Sequence, residues 1–434
     1  MAKAKSKKIT LEEALVPVEE QPYKVPKNWC WIHLLDSFDN VTDSKKKLAT
    51  KEYLEDGEYP IIDQGQDFIG GYTDDADMIY DGELPIVIFG DHTRCIKYID
   101  FQFAQGADGV KVLKPKQFWN DKAFYYAMQS IEIPNMGYRR HYSLFKDFCI
   151  PLPPLAEQKR IVEQIENLFA KLDEAREKAQ EIIDRIETNI EAILYNAFSG
   201  KLTQYWRKEN GVDYNWEKST LSKIVSGLKY GSSEKCDYNN NGTPVLRIPN
   251  IGEGVIDFSD LKYMQGELEN SSHEVFENDI LIIRSNGSRD LVGKCAIVPA
   301  LERRYAYASF LIRIKASDKV LPKYLVRYIN SSMARGQLFA KAKSSSGIHN
   351  INSKELGSIR IDVPTIEEQT EILKIIDPLI KKELDVKDIT SNMIENIAEL
   401  KKSILAKAFR GELGTNVSLE ESSIELLKKT IEEG

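Results

Sequence analysis

Cysteine is scarce in this chain. Its five residues (Cys30, Cys95, Cys149, Cys236, Cys295) are scattered, odd in number and never spaced as Cys-x-x-Cys. That argues against a disulfide frame and a zinc site, and for reduced thiols in a cytoplasm. Histidine is equally rare, with five unclustered residues, so no metal chemistry is expected. No apolar run approaches the roughly 18 residues of a membrane span. The N-terminus starts basic without an apolar core, which is not a secretory signal. Catalytic signatures are missing as well. There is no G-x-x-x-x-G-K-[ST] loop, no Asn-Pro-Pro-Tyr or Asp-Pro-Pro-Tyr run, and no convincing acidic pair followed by Glu-x-Lys. The glycines at Gly65, Gly70, Gly71, Gly227 and Gly231 lack the strand–G-x-G-x-x-G–helix setting of a dinucleotide site. The expectation is a chain with no catalytic site, no metal and no cofactor of its own.

Glycine and proline are also absent from residues 155–198, and that stretch begins a pattern that occurs twice. The first copy reads PPLAEQKRIVEQI and closes with AFSGKL; the second reads PTIEEQTEILKII and closes with AFRGEL. Glu157, Gln158, Ile161, Ala197, Phe198, Gly200 and Leu202 each find an identical residue 211 positions on. A shared offset without insertion is the mark of a duplicated unit. In the first copy, Ile161, Ile165, Leu168, Leu172, Ala175, Ala179, Ile182, Ile186, Ile190, Ile193 and Ala197 follow one another in steps of three and four. This is a heptad seam with one stutter. A helix of about 42 residues is on the order of 60 Å long, so an equally long element must cover it. In the second copy the offset places Ile372, Ile376, Leu379, Val386, Met393, Ile397, Ile404 and Ala408 on the seam. Glu383, Thr390 and Lys401 interrupt it, and Pro378 should kink it.

Each repeat is preceded by a globular stretch of short apolar runs punctuated by Gly, Asp and Pro. The first predicts strands at 59–62, 68–72, 85–89, 95–99 and 109–113 and a helix at 121–130. The second predicts strands at 244–248, 254–258, 279–283, 292–298 and 309–314 and helices at 323–330 and 333–340. Asn28–Trp29 and Asn215–Trp216 mark equivalent entries, but beyond them the two stretches share little sequence. The expected organisation is an N-terminal arm (1–20), a domain (21–154), a long helix (155–202), a second domain (203–364), a second long helix (365–413) and a tail (414–434). The fold class is α+β: two strand-rich domains separated by two long helices that form an antiparallel coiled coil in a pseudo-twofold arrangement.

Taken together, the proline-led entry, the Glu-Gln pair, the heptad helix and the Ala-Phe-x-Gly-x-Leu exit, all occurring twice, resemble the specificity subunit of type I restriction-modification enzymes. The resemblance covers about residues 26–413, and the doubled helix motif is its specific part. It implies two target-recognition domains, each reading half of a split, asymmetric double-stranded DNA target, with the helix pair as a ruler. It further implies a non-catalytic, cytoplasmic role in phage defence. The implied partners are two copies of an adenine-N6 methyltransferase subunit and a restriction/translocase subunit, and those partners would carry S-adenosylmethionine, ATP and Mg.

Bases are read by side chains at their edges, Arg and Lys favouring guanine and Asn and Gln favouring adenine, while phosphate contacts position the protein. Loops bearing such residues between strands are the candidates. In the first domain they are Gln64 and Gln66; His92, Thr93 and Arg94; and Tyr138, Arg139 and Arg140. In the second they are Arg284, Asn286, Ser288 and Arg289; Ser345, Ser346, Gly347 and His349; and Arg247 with Asn250. Plain turns account for several of these equally well: residues 90–94 suit a hairpin bend and Asn286–Gly287 a tight turn. Trp29 and Trp216 read as core anchors.

The net charge of −8 is unevenly spread. Residues 1–154 hold 19 basic against 24 acidic side chains, residues 155–197 hold 6 against 10, and residues 198–365 hold 24 against 18. An acidic total therefore does not exclude a basic reading surface. Three other readings stay open at this level: a coiled coil joining two domains that bind something other than DNA, a recombination reservoir for an active relative, and a self-contained nuclease.

Overall fold

The computed structural model describes residues 10–433 other than 107–108, 138, 266–267, 269–270, 342 and 346. It divides into two compact units, Met1–Lys178 with Asn392–Gly434, and Ala179–Ser391.

In the first unit, a four-stranded antiparallel sheet runs in the order Phe38–Asn40, Val110–Pro115, Ile86–Gly90, Ile96–Ile99. A three-stranded sheet has Tyr59–Ile62 at its centre, antiparallel to Gly71–Thr73 and parallel to Ala104–Gln105. The central strand Ile86–Gly90 is buried throughout, as a strand covered on both faces must be. The helix Asp121–Gln129 starts where Asn120 accepts the backbone N–H of Ala123, which satisfies one of the orphan donors of a first turn. It buries Ala123, Phe124, Ala127 and Met128. The ribbon pairing Cys30–His33 with Cys149–Leu152 carries the chain in and out of the domain.

The first long helix is Leu155–Phe198 and the second is Ile366–Ala408. Ile161, Val162 and Ile165 from the start of the first helix share one core with Leu405, Ala408 and Phe409 from the end of the second. Trp29 and the tail residue Leu427 join that core. Within this unit Lys401 lies 2.5 Å from the Asp173 carboxylate and over the Phe169 ring.

The second unit holds two five-stranded sheets. One runs Val225–Tyr230, Leu311–Ala316, Ile280–Ile283, Cys295–Ile297, Gly254–Val255, and the other is centred on Gly242–Leu246. The helices Pro322–Asn330 and Ser332–Lys341 pack beneath the first sheet. They join Leu194, Ala197 and Phe198 of the first long helix and Ile372, Ile376 and Ile380 of the second in a common core. Here Glu187 pairs with Lys387 at 3.3 Å and Asn189 donates to Glu383 at about 3.4 Å. Numbers rise along one helix as they fall along the other, so the helices are antiparallel.

Two expectations for the helix pair need correction. Glu383, Thr390 and Lys401 occupy the seam positions that the offset of 211 gives them, together with Ile376, Ile380, Lys387 and Ile397, but their polarity does not break the pairing. Glu383, Lys387 and Lys401 reach partners on the other helix, and Thr390 is buried with its hydroxyl donating to Val386 O. Conversely Leu379, Val386 and Met393, expected on the seam, are exposed, as are Ile389 at 70% and Leu400. Ile182 of the first helix is also exposed. The burial of Ile372, Ile376 and Ile380 in the second domain's core fixes the rotation of the helix, and the outward stripe follows from it. The helix runs without interruption through Pro378.

Candidate nucleic-acid interface

Three loops of the first domain, separate in sequence, meet in space. Gly90 begins a bend in which the Arg94 N–H returns to Gly90 O at 2.7 Å, with Arg94 held at φ 63°. The backbone N–H of His92 donates to Gln64 Oε1 at 3.1 Å, and Thr93 Oγ1 donates to Gln64 O at 2.5 Å. Asp91 fastens the third loop: its carbonyl accepts the His141 N–H, and its carboxylate accepts the Tyr142 N–H at 2.7 Å. His141 is fully buried. Its Nε2 accepts the Met136 N–H, so its Nδ1 carries the proton donated to Asp91 O. Arg139 and Arg140 stand exposed beside this joint, while Arg94 turns inward to the carbonyl of Ile133 at 3.0 Å. Burial pushes the Tyr142 phenol above its ordinary range, and Lys111 stands over its ring. Tyr138 lies outside the described residues.

The second domain repeats the convergence with other parts. Ser285–Asn286 pairs with the hairpin strand Ile348–Asn350, which in turn pairs with Lys343–Ser345. Asn286 and His349 are therefore direct neighbours, and Gly347, at φ +77°, forms the turn between the hairpin strands. The Asn286 carboxamide accepts the Ser288 N–H at 2.7 Å, shaping the loop that presents Arg289. Arg284 stacks over Tyr230 at 4.9 Å and donates to Ser309 O. Phe310 and Ile348 are exposed on the same stretch of surface, at 55% and 50%. Neither is among the residues expected to contribute: Phe310 falls in the stretch 309–314 expected to be a strand, and only Ile348 stands as an apolar residue in a polar loop. Ser346 lies outside the described residues.

Arg247 and Asn250 belong elsewhere. Asn250 is completely buried, and its amide donates to the carbonyls of Asp257 and Asp260. Arg247 is paired with Asp260 at 3.0 Å. Both hold the 257–260 turn, so the expectation that they face a ligand is corrected. Their polar character serves buried backbone acceptors that would otherwise go unpaired.

Each domain is fastened to a long helix by the Glu-Gln pair. The Gln158 amide donates to the carbonyls of Phe118 and Pro153 and accepts the Asn120 N–H. The Gln369 amide donates to Lys319 and Pro364 and accepts the Leu321 N–H. Glu157 takes the indole N–H of Trp29, and Glu368 that of Trp216. The remaining partners differ. Glu157 is completed by Thr415 and Asn416, Glu368 by Thr203 and the guanidinium of Arg207.

The two domains thus carry unlike loops on like mounts, and comparison with known proteins gives that frame a family. The model of the type I restriction modification DNA specificity domain matches residues 26–183 and again residues 214–396. The chain belongs to this family. Specificity subunits resembling it include EcoKI of Escherichia coli, 32% identical over 290 residues, covering 64% of this chain and 62% of that one. EcoBI of Escherichia coli is 26% identical and covers 72% and 71%. MjaVIII of Methanocaldococcus jannaschii is 23% identical and covers 90% and 94%. The chain thus spans about three fifths of the EcoKI subunit it matches. A chain in a solved type I R-M system has the same fold, with a TM-score of 0.65 at 19% identity over 90% of this chain and all of that one. Among the described residues, no group of acidic, cysteine or histidine side chains could hold a metal, and no helix is long and apolar enough to cross a membrane.

Proposed function

We propose that this chain is the DNA-specificity subunit of a type I restriction-modification complex, reading a bipartite, asymmetric target with one half assigned to each domain. The observation that carries this is the doubled mount. Two domains with unrelated loops are fixed to equivalent helix starts by the same Glu-Gln contacts, so each offers a different surface from the same frame. The loop clusters supply the chemistry. Exposed cations at Arg139, Arg140 and Arg289 suit phosphates, and the amides and hydroxyls between them suit base edges.

The chain itself is proposed to be non-catalytic and cytoplasmic. Methyl transfer and cleavage fall to partners, two methyltransferase copies and a restriction/translocase subunit, which bring S-adenosylmethionine, ATP and Mg. The outward apolar residues of the second long helix support docking of the methyltransferase: Leu379, Val386, Met393 and Leu400 recur every seventh position on a solvent face, where a partner helix would cover them. The 44 residues of the first long helix correspond to about 66 Å of rise, and we propose that the pair acts as the ruler between half-sites.

Co-expression with a cognate methyltransferase subunit, followed by genome-wide mapping of N6-methyladenine, tests the whole reading. A split motif with a fixed gap is expected, and removal of one heptad from both helices should change the gap. Methylation without a motif, or a gap indifferent to helix length, would refute it.

A further inference from the structure

The loop joining strands Tyr59–Ile62 and Gly71–Thr73 is built around one buried ammonium. Lys97 reaches it from strand Ile96–Ile99, is only 4% exposed, and donates to the carbonyls of Asp63 at 2.9 Å and Asp67 at 2.5 Å. The Asp63 carboxylate lies 3.7 Å away. A lysine taken out of water needs acceptors for its N–H groups and a compensating charge; here the loop supplies both. One cation therefore clips the loop at residues 63 and 67 and leaves 64–66 as its tip.

The tip has little freedom. Gly65 N–H donates to Asp63 Oδ1 at 2.8 Å. A Cβ added at Gly65, Gly70 or Gly106 would fall within 2.9 Å of the Asp63 side chain. Gln64 is committed inward, since its side-chain oxygen and its carbonyl accept from His92 and Thr93. A Cβ at Gly109 would meet its amide at 2.5 Å. What the tip offers to solvent is Gln66, which is exposed. Through Gln64 and residues 91–93 the loop is continuous with the joint that presents Arg139 and Arg140, cations suited to phosphates. A carboxamide on such a preformed loop loses little freedom on binding. Its donor and acceptor match the N6 and N7 of adenine in the major groove.

We propose that Gln66 is a specificity-determining residue of the first domain, reading adenine, and that Lys97 is the positioning residue that holds its loop. Gln64, which sequence reasoning placed beside it as a reader, belongs to the loop's support. The inference rests on the DNA-reading function proposed above and assigns one base position within it.

The test maps N6-methyladenine in cells co-expressing the methyltransferase subunit with the wild-type chain or with Gln66→Ala, Gln66→Arg, Lys97→Met, Lys97→Arg or Asp67→Asn. Gln66→Ala should lower discrimination at one adenine position of one half-site by roughly 5- to 150-fold and leave the other half-site intact. Gln66→Arg should move that position toward guanine. Lys97→Met should blunt the same position, and Lys97→Arg, which keeps the charge and donors, should blunt it less. Should Lys97→Met prevent folding, the Gln66 variants still decide the matter. A clear wild-type motif that Gln66→Ala leaves unchanged overturns this inference alone, as does Asp67→Asn reproducing the effect. A wild-type chain that directs no motif would instead overturn the function on which it rests.

Discussion

Trp29 donates its indole N–H to Glu157 at 2.7 Å, tying the first residues of the first domain to the first turn of the helix that follows it. Trp216 makes the equivalent bond to Glu368 at 3.0 Å. The two anchors differ in what else they hold, and the difference is measurable. Glu368→Ala strands the buried Arg207 guanidinium, a loss of about 3–5 kcal/mol. Glu157→Ala leaves the Trp29 indole as its one buried donor without an acceptor, because Thr415 and Asn416 are partly open to water; the cost is about 1–3 kcal/mol. Hydrogen exchange resolved by unit should show the larger loss in residues 179–391 of the Glu368 variant. Equal losses would contradict the assigned roles.

The outward stripe of the second long helix predicts a separation of stability from assembly. Val386→Lys and Ile389→Lys alter exposed positions, so the unfolding free energy of the chain should stay within about 0.5 kcal/mol of wild type. Co-purification of the proposed methyltransferase partner should fall sharply. Retained capture would place the docking surface elsewhere.

Thr390 lies on the seam with its hydroxyl turned back to its own helix. Thr390→Val keeps the shape and removes a polar group that makes no bond across the seam. Stability in guanidinium should be unchanged or rise by up to ~1 kcal/mol. A loss larger than that would show the hydroxyl to be needed.

Burial pushes the Cys30 thiol up to about 12 and that of Cys295 further still. The folded chain holds both neutral, so the stability they contribute is full below the ordinary thiol value of 9.0 and is lost as pH rises through the folded values. The slope of stability against pH above 9 should flatten in Cys30→Ala with Cys295→Ala. At pH 8, a thiol reagent followed by mass spectrometry should leave both unlabelled in the native chain and label all five cysteines in denaturant. Labelling of native Cys295 at the rate of Cys236 would contradict its burial.

Much of this architecture was legible because its strongest signals are local or periodic. The offset of 211, the heptad steps and the Gly- and Asp-marked turns gave the helices, the strands and the loops that carry the candidates. What the sequence did not give depends on distant partners. Leu379 is expected on the seam, and Glu383 and Lys401 are expected to break it, because counting apolar residues cannot see that Glu383 meets Asn189 or that Lys401 meets Asp173. The meeting of residues 64, 92 and 141 rests on hydrogen bonds made by Gln64 and Asp91 across tens of residues. Lys97 left one usable trace, a charge on the inward side of an alternating strand, and it passes for a solvated lysine until the loop above it is known.

Asn28 bonds Asn416 and Ser423, and Arg160 grips Glu420 through both of its terminal nitrogens. The first domain therefore shares its core with the closing turns of the second long helix and with the tail. During synthesis the chain emerges from its N-terminus at about 5–20 residues per second. The domain made first must wait some 10–50 s for residues near 405–427 before it can bury Trp29 as it does in the finished molecule. The domain made second waits only for Ile372, Ile376 and Ile380 at the start of that helix, so its core can close before that of the domain made first. A nascent chain interrupted after residue 391 and before residue 405 would hold a complete second domain and an open core in the first.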